Sequence, residues 1–385
     1  MIPYGRQSIS AADIQAVVET LQSDFLTQGP AVPRFEAKFA AMCGAPHAVA
    51  MNSATSALHL ACVALGLGPG DVLWTSPNTF VASANCARYC GADVDFVDVE
   101  PGTGNLDVAA LARKLEGAPR KPKIVVPVAF AGLPCDLKAI HALSRRHGFK
   151  VVEDASHAVG ARHDGAPCGD GRWSDVSVFS FHPVKIITTG EGGLATTRDA
   201  ALAETLRELR SHGITREPAR MTGPPPGAWY YEQRSLGWNF RMTDLQAALG
   251  ASQLDRLPAF LARRRALVQR YDARLRELPL LLPERRSHAD SAWHLYVVRL
   301  DPARTPRRRD EVFAALRAAG VGVNVHYIPV HTQPYYRALG FAAGQFPEAE
   351  RHYAQALSLP LYADLTDAQQ DTVIDTLART LAPAH

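Results

Sequence analysis

The chain has 385 residues, of which 47% are hydrophobic and 21% charged, with a formal net charge of +3. That length fits two or three domains and buries enough surface to fold without disulfides or metals. The apolar content excludes disorder for the bulk of the chain, and the basic residues form no dense block that favours nucleic acid.

The opening MIPYGRQSIS has no apolar region behind a basic one, so no signal peptide is read. No uninterrupted apolar run reaches the roughly 18 residues of a membrane span. Ser10 N-caps a helix over 11–22, with Ile14, Val17, Val18 and Leu21 on one face. Helices over 54–65, 79–90, 106–115 and 136–147 then alternate with strands over 72–76, 94–99, 123–130 and 150–153, and further strands cover 176–181 and 193–197. This alternation with continuous apolar strands predicts an α/β fold, a mostly parallel sheet covered by helices on both faces. Sites in such sheets lie at the carboxyl ends of the strands.

Residues 213–238 break the pattern with Pro224-Pro225-Pro226 and the cluster Trp229, Tyr230 and Tyr231. A connection of that length is functional or mobile. Residues 244–278 read as helical with a break at Pro258. Strands over 294–300 and 321–327 and helices over 308–319 and 367–381 read as a small α+β domain. The division expected is a large domain over 1–255 and a small one over 256–385. The runs Arg263-Arg264-Arg265 and Arg307-Arg308-Arg309 read as solvated helix faces.

Six scattered cysteines (43, 62, 86, 90, 135, 168), with no Cys-x-x-Cys, fit reduced thiols in a cytoplasm. Cys86 and Cys90 read as two small buried hydrophobes. The segment GLGPGD at 66–71 fails as a dinucleotide fingerprint because Asp71 replaces the last glycine; it reads as a helix-ending turn. His326 and His331, with Pro329 between them, make no metal pair on a helix face, so no metal is expected.

Three segments carry chemistry. Glu153-Asp154-Ala155-Ser156-His157 follows a strand, and a carboxylate there must be paired. Lys185 follows the apolar Ser177–Phe181 run and precedes Thr188, Thr189 and a Gly-rich turn at 190–193. A lysine held among apolar groups has a lowered pKa and serves as an amine nucleophile. Asn52-Ser53-Ala54-Thr55-Ser56 opens a helix, where hydroxyls and free N–H groups bind anions. Singly, these read as a structural Asp, a solvated Lys and an N-cap. Together they fit pyridoxal phosphate: the Asp keeps the ring nitrogen protonated, the lysine forms the Schiff base, and the helix end holds the phosphate.

With these segments the sequence resembles the DegT-type sugar aminotransferases, pyridoxal-phosphate enzymes of the aspartate-aminotransferase fold type. The likeness runs over nearly the whole chain, through Leu26-Thr27-Gln28-Gly29, Asn52-Ser53-Ala54-Thr55, Thr79-Phe80, Glu153-Asp154-Ala155, Phe179-Ser180-Phe181, Lys185, Glu191-Gly192-Gly193, Asn239 to Asp244 and His326-Tyr327. The run Phe-Ser-Phe-His before Lys185 and Thr188-Thr189 looks most like the pseudaminic-acid branch. The resemblance implies that Lys185 is the Schiff-base lysine and proton shuttle, that Asp154 pairs with the pyridinium nitrogen, and that His157 lies near the phenolic oxygen. It places Phe80 on the ring face, and Thr55, Ser56 and Ser180 on the phosphate. It brings Asn239 to the phosphate from a second subunit, hence a homodimer with shared sites, and sets Arg241 and His326 near the substrate. The implied reaction moves an amino group from L-glutamate to C4 of a UDP-linked 4-keto-6-deoxy sugar. Alternatives are another UDP- or dTDP-linked keto sugar, a sugar dehydratase of the family, which Lys185 disfavours, or a regulator that has lost catalysis.

Overall fold

The computed structural model describes residues 1–382. In chain order, helices α1 (Ala11–Leu21) and α2 (Ala31–Cys43) precede β1 (His47–Met51), α3 (Ala54–Ala64), β2 (Val72–Thr75), α4 (Ala82–Tyr89) and β3 (Asp93–Phe96). Next come α5 (Val108–Gly117), β4 (Ile124–Val126), α6 (Leu137–His147), β5 (Lys150–Asp154) and the short strands β6 (Arg162–His163) and β7 (Ala166–Pro167). Strands β8 (Val176–Ser180) and β9 (Gly193–Thr197) follow, then α7 (Ala200–Leu209) and a two-residue ribbon of β10 (Ile214–Thr215) with β11 (Glu232–Gln233). The remainder holds α8 (Asp244–Leu275), β12 (Leu280–Leu281), β13 (Ala289–Asp290), β14 (Tyr296–Leu300), α9 (Arg309–Ala318), α10 (Pro334–Arg337), α11 (Pro347–Gln355), β15 (Ala356–Leu359) and α12 (Asp367–Leu381).

Seven strands form one sheet in the order β1-β9-β8-β5-β4-β2-β3. Neighbours from β3 to β8 pair in parallel, while β9 runs antiparallel to both β8 and β1. This is the expected α/β sheet. Alternate residues feed its two faces: Val49, Val152 and Val178 pack with α3, α4 and α7, whereas Ala50, Ala155 and Phe179 pack with α2 and α8. Burial on both faces is why these strands read as continuous apolar runs. Phe39 stands edge-on to Phe179 and Phe181, at 4.8 and 5.5 Å. Burying a ring of this size is worth about 2–3 kcal/mol. A second, three-stranded sheet, β12-β14-β15, carries its own core with α9 and α12.

Several expectations change. Pro258 does not break the helix: α8 continues through it for 32 residues. An interior proline costs about 3 kcal/mol, and burial of Leu254, Leu257, Phe260 and Leu261 on both sides of it offsets that cost. Residue 255, the last of the expected large domain, therefore lies inside one unbroken helix. Residues 321–327 are not a strand. They make only single bridges, Val321 to Ile2 and Asn324 to Ser358, because the chain crosses the sheet edge instead of running along it. Arg264 is not solvated. It is buried and donates to the carbonyls of Trp293, His294 and Leu361. Strand β4 ends at Val126, where Pro127 follows with no N–H to continue the ladder, and the chain turns at Ala131 and Gly132. Elements α2, β1 and α7 had no sequence expectation. The turn at 66–71 does end a helix: Gly66 has φ +77° and Leu67 N–H donates to the Cys62 carbonyl.

Candidate active site

The carboxyl ends of β5 and β8 and the start of α3 converge on a cavity of about 590 Å³. Seven sequence-proposed residues line it: Thr55, Phe80, Asp154, His157, Ser180, Lys185 and His326.

Asp154 ends β5 and is buried. Its Oδ2 accepts from Ser83 Oγ at 2.6 Å, and its Oδ1 accepts from the Ser156 N–H at 3.1 Å. Thr79 Oγ1 lies 2.8 Å from Ser83 Oγ and extends this chain. A buried carboxylate is stable only with such partners. Lys185 sits on a turn closed by its own N–H to the His182 carbonyl, at 2.8 Å. Lys185 is half-buried and lines the cavity. Burial lowers the pKa of its amine to about 8, with the Asp154 charge opposing the fall. The neutral amine is therefore far more populated than in an ordinary lysine.

His157 packs against His294 with ring centroids 4.3 Å apart, and its Nε2 lies 3.1 Å from Tyr327 Oη. Burial pushes the pKa of His157 and of His294 well below the usual range, and the Lys185 charge adds to this. His326 falls to about 3 for the same reasons, and its Nδ1 lies 2.7 Å from Ser358 Oγ. Burial pushes the Tyr327 phenol up. Three neutral histidines and a neutral phenol thus surround a single amine.

The floor is the N-terminus of α3. Ser53 caps it by accepting from the Ser56 N–H at 3.1 Å. The first N–H groups of the helix, Ala54 and Thr55, have no intrahelical acceptor. A Cβ on Gly193 would stand 2.3 Å from the Ala54 nitrogen, so only glycine lets the helix start rest on β9. Phe80 lies before α4 rather than within it, 58% exposed, its ring 6.4 Å from that of Tyr327.

Three expected residues are not brought into this cavity. Ser56 faces away, its hydroxyl donating to Asn52 Oδ1 at 2.6 Å. Asn239 and Arg241 bridge to Ser211 and Met51 outside it, and Asn239 is exposed. Conversely, Ser83, His294 and Tyr327 line the cavity without having been proposed as site residues. Tyr327 had a signal, its place beside His326.

Residues 7–378 match the model of the DegT/DnrJ/EryC1/StrS aminotransferase family. The chain belongs to that family. It is similar to the spore coat polysaccharide biosynthesis protein SpsC of Bacillus subtilis, with 42% identity over 98% of this chain and 96% of that protein. Among solved structures it resembles the putative sugar aminotransferase Spr1654 of Streptococcus pneumoniae in its PMP form, with TM-score 0.91 and 30% identity over 99% of both chains. It also resembles Helicobacter pylori PseC, an aminotransferase of pseudaminic acid biosynthesis, with TM-score 0.91 and 29% identity over 99% of both chains. As a DegT-family member the chain is a pyridoxal-phosphate-dependent sugar aminotransferase, with a sugar substrate and an amino donor. The donor set fits that cofactor: a carboxylate for the ring nitrogen, a cavity-lining amine for the aldehyde, and free N–H groups with hydroxyls for the phosphate. Among the described residues no cluster suited to a metal occurs, and no helix is long and apolar enough to cross a membrane.

Proposed function

We propose that this aminotransferase moves an amino group from L-glutamate to C4 of a UDP-linked 4-keto-6-deoxy sugar, giving a 4-amino sugar nucleotide for pseudaminic acid biosynthesis. The observation that carries the chemistry is the cavity-lining Lys185 amine, lowered to about 8, in the same cavity as the doubly held Asp154. The Phe179-Ser180-Phe181-His182 run ahead of Lys185 and the likeness to PseC support the pseudaminic branch. The likeness to SpsC supports a second reading, another UDP- or dTDP-linked keto sugar.

Bound pyridoxal phosphate supplies a conjugated ring that delocalises the electron pair left when a neighbouring C–H loses its proton. The remaining work falls to the chain. Lys185 Nζ takes the proton from the donor α-carbon as 2-oxoglutarate forms, and in the second half it returns a proton to C4 of the sugar. Asp154, its orientation fixed by Ser83 and Ser156, would pair with the ring nitrogen. His157, held by Tyr327, would meet the phenolic oxygen. Thr55 and Ser180 bind the phosphate with the α3 N–H groups, and Phe80 covers a ring face. His326 and Arg241 meet the sugar. Asn239 completes the phosphate site of a partner subunit, so the working unit is a cytoplasmic homodimer. The division into domains over 1–255 and 256–385 belongs to this reading.

The experiment is a panel of 4-keto sugar nucleotides offered to the enzyme with L-glutamate. Preference for the UDP-linked L-arabino 4-hexulose is expected. Preference for a dTDP-linked or D-configured sugar moves the enzyme to the second reading.

A further inference from the structure

A second cavity, of about 160 Å³, opens behind the first. It lies between the turn at 130–133 and strand β14, and among the described residues none lines both cavities. The Phe130 ring is the partition: it stands 6.2 Å from Tyr327 on the active-site side and 5.3 Å from His352 on the other.

The walls are built by strand alternation. Tyr296, Val298 and Leu300 point into the small-sheet core, so Leu295, Val297 and Arg299 share the opposite face. Leu295 and Val297 pack on Phe130, and the next residue on that face, where period two asks for another apolar side chain, is Arg299. Arg299 is half-buried, and among the described residues its side chain has no hydrogen bond or ion pair, the Glu284 and Glu348 charges acting on it only from a distance. The acids that face the same cavity are committed elsewhere: Glu284 to Arg286 at 2.8 Å, and Asp290 to Arg265 at 2.9 Å. Arg285 and Arg286 are likewise paired, with Asp272 and Glu100.

His352, from α11, closes the cavity. It is 5% exposed, and neither ring nitrogen has a well-formed hydrogen bond, although the His326 carbonyl lies near enough to favour its protonated form. Burial nevertheless holds its pKa at about 3, so the ring is a neutral donor and acceptor without a partner. An unpaired cation and an unpaired imidazole over an apolar wall are costly to maintain unless something fills the space between them.

We propose that this cavity is a second ligand site, specific for a small organic monocarboxylate whose carboxylate meets Arg299 and His352 and whose apolar body lies on Phe130, Leu295 and Val297. Bidentate pairing suits a guanidinium to a carboxylate, and the apolar surface of Phe130, Leu295 and Val297 discriminates against bare inorganic anions. The site does not depend on which sugar the enzyme aminates.

Benzoate is the probe. Titration calorimetry of the holoenzyme is expected to show one benzoate per chain, with neutral benzamide and inorganic phosphate each binding roughly tenfold or more weakly. Arg299→Leu, which restores the apolar period of the strand, is expected to weaken benzoate by the same factor or more, and Arg299→Lys by less. Crystals of the holoenzyme soaked with 4-iodobenzoate give a readout independent of any variant: the anomalous iodine signal is expected against Phe130 and Val297. No benzoate binding, equal binding to Arg299→Leu, or iodine found solely in the Lys185 cavity overturns the proposal.

Discussion

The segment from Asp154 to Lys185 and the segment from Gly213 to Arg241 stand in opposite physical settings. The first is anchored by β5 and β8 in the middle of the sheet, and Asp154 and His157 find hydrogen-bonding partners within one chain. The second contributes nothing to the cavity of its own chain. It holds together by the two-residue ribbon β10–β11 and leaves Trp229 76% exposed, with Leu236 and Tyr231 also outside. The contrast separates two tasks. Proton transfer requires a fixed, dry amine, which only a core supplies. Recognition of a variable sugar tolerates a surface loop and, in the proposed dimer, a neighbour to pack against it.

Breaking the rigid half is expected to cost most. Lys185→Ala removes the proton carrier and should lower turnover by about four powers of ten or more while the protein stays folded. Borohydride reduction of the yellow holoenzyme followed by peptide mapping checks the assignment: the label should sit on Lys185, and a label elsewhere refutes it. Asp154→Asn keeps the shape and both hydrogen-bonding neighbours. Its expected loss, roughly three powers of ten, is smaller because the amine survives. A variant close to wild type in single-turnover kinetics would show that Asp154 does not face the ring.

The same contrast explains what was legible in the sequence. Strands β5 and β8 read clearly because burial on both faces leaves an apolar run that no surface helix imitates. Asp154 and Lys185 were then visible as polar residues where such runs end. Helix α2 was not visible: it has Pro33 inside and no side-chain cap. Strand β1 was hidden because its neighbour in the sheet is β9, nearly 150 positions later by the pairing of His47 with Thr197. Pro258 and Arg264 both misled for one reason. Local rules price a proline or an arginine against water, whereas α8 threads between two cores that meet those costs through packing and three backbone carbonyls. Ser83 needed knowledge that α4 docks beside β5, a long-range fact absent from any local pattern.

Breaking the exposed half tests whether it acts on its own chain or on a partner. Asn239→Ala alone should reduce activity by about a hundredfold through weaker cofactor retention. The decisive measurement mixes it with Lys185→Ala. If sites are shared, mixed dimers contain one intact site, and activity should return to about half the wild-type level per mixed dimer. Two inactive parents that stay inactive on mixing would place Asn239 in its own chain's site.

Acid sharpens the rigid half. His157 and His294 titrate well below the usual range and His326 near 3, whereas the unfolded chain takes up these protons near 6.5. The folded form therefore binds fewer protons between those limits. The stability these neutral rings confer is complete above about pH 6.5 and drains away as pH falls toward 3. Each histidine contributes a slope of about 1.4 kcal/mol per pH unit. Urea unfolding of the cofactor-stripped protein at pH 7, 6 and 5 should show it, and His294→Leu should remove about one proton from the slope. An unchanged slope in that variant would mean that His294 is charged in the folded protein.

The mildest change is expected from Trp229→Ser. A side chain this exposed, its ring resting only on nearby loop residues such as Gly227, contributes little to folding, so stability should move by no more than about 0.5 kcal/mol. If the loop reaches the substrate of a neighbouring site, the same change should raise KM for the sugar nucleotide several-fold and leave kcat alone, the pattern of lost uniform binding. KM for L-glutamate should not move, because the amino donor carries no nucleotide for an aromatic ring to grip. Equal rises in both KM values would instead mean that Trp229 helps shape the cavity as a whole, and the division of labour between the buried and the exposed segment would then fail at the residue where it is most exposed.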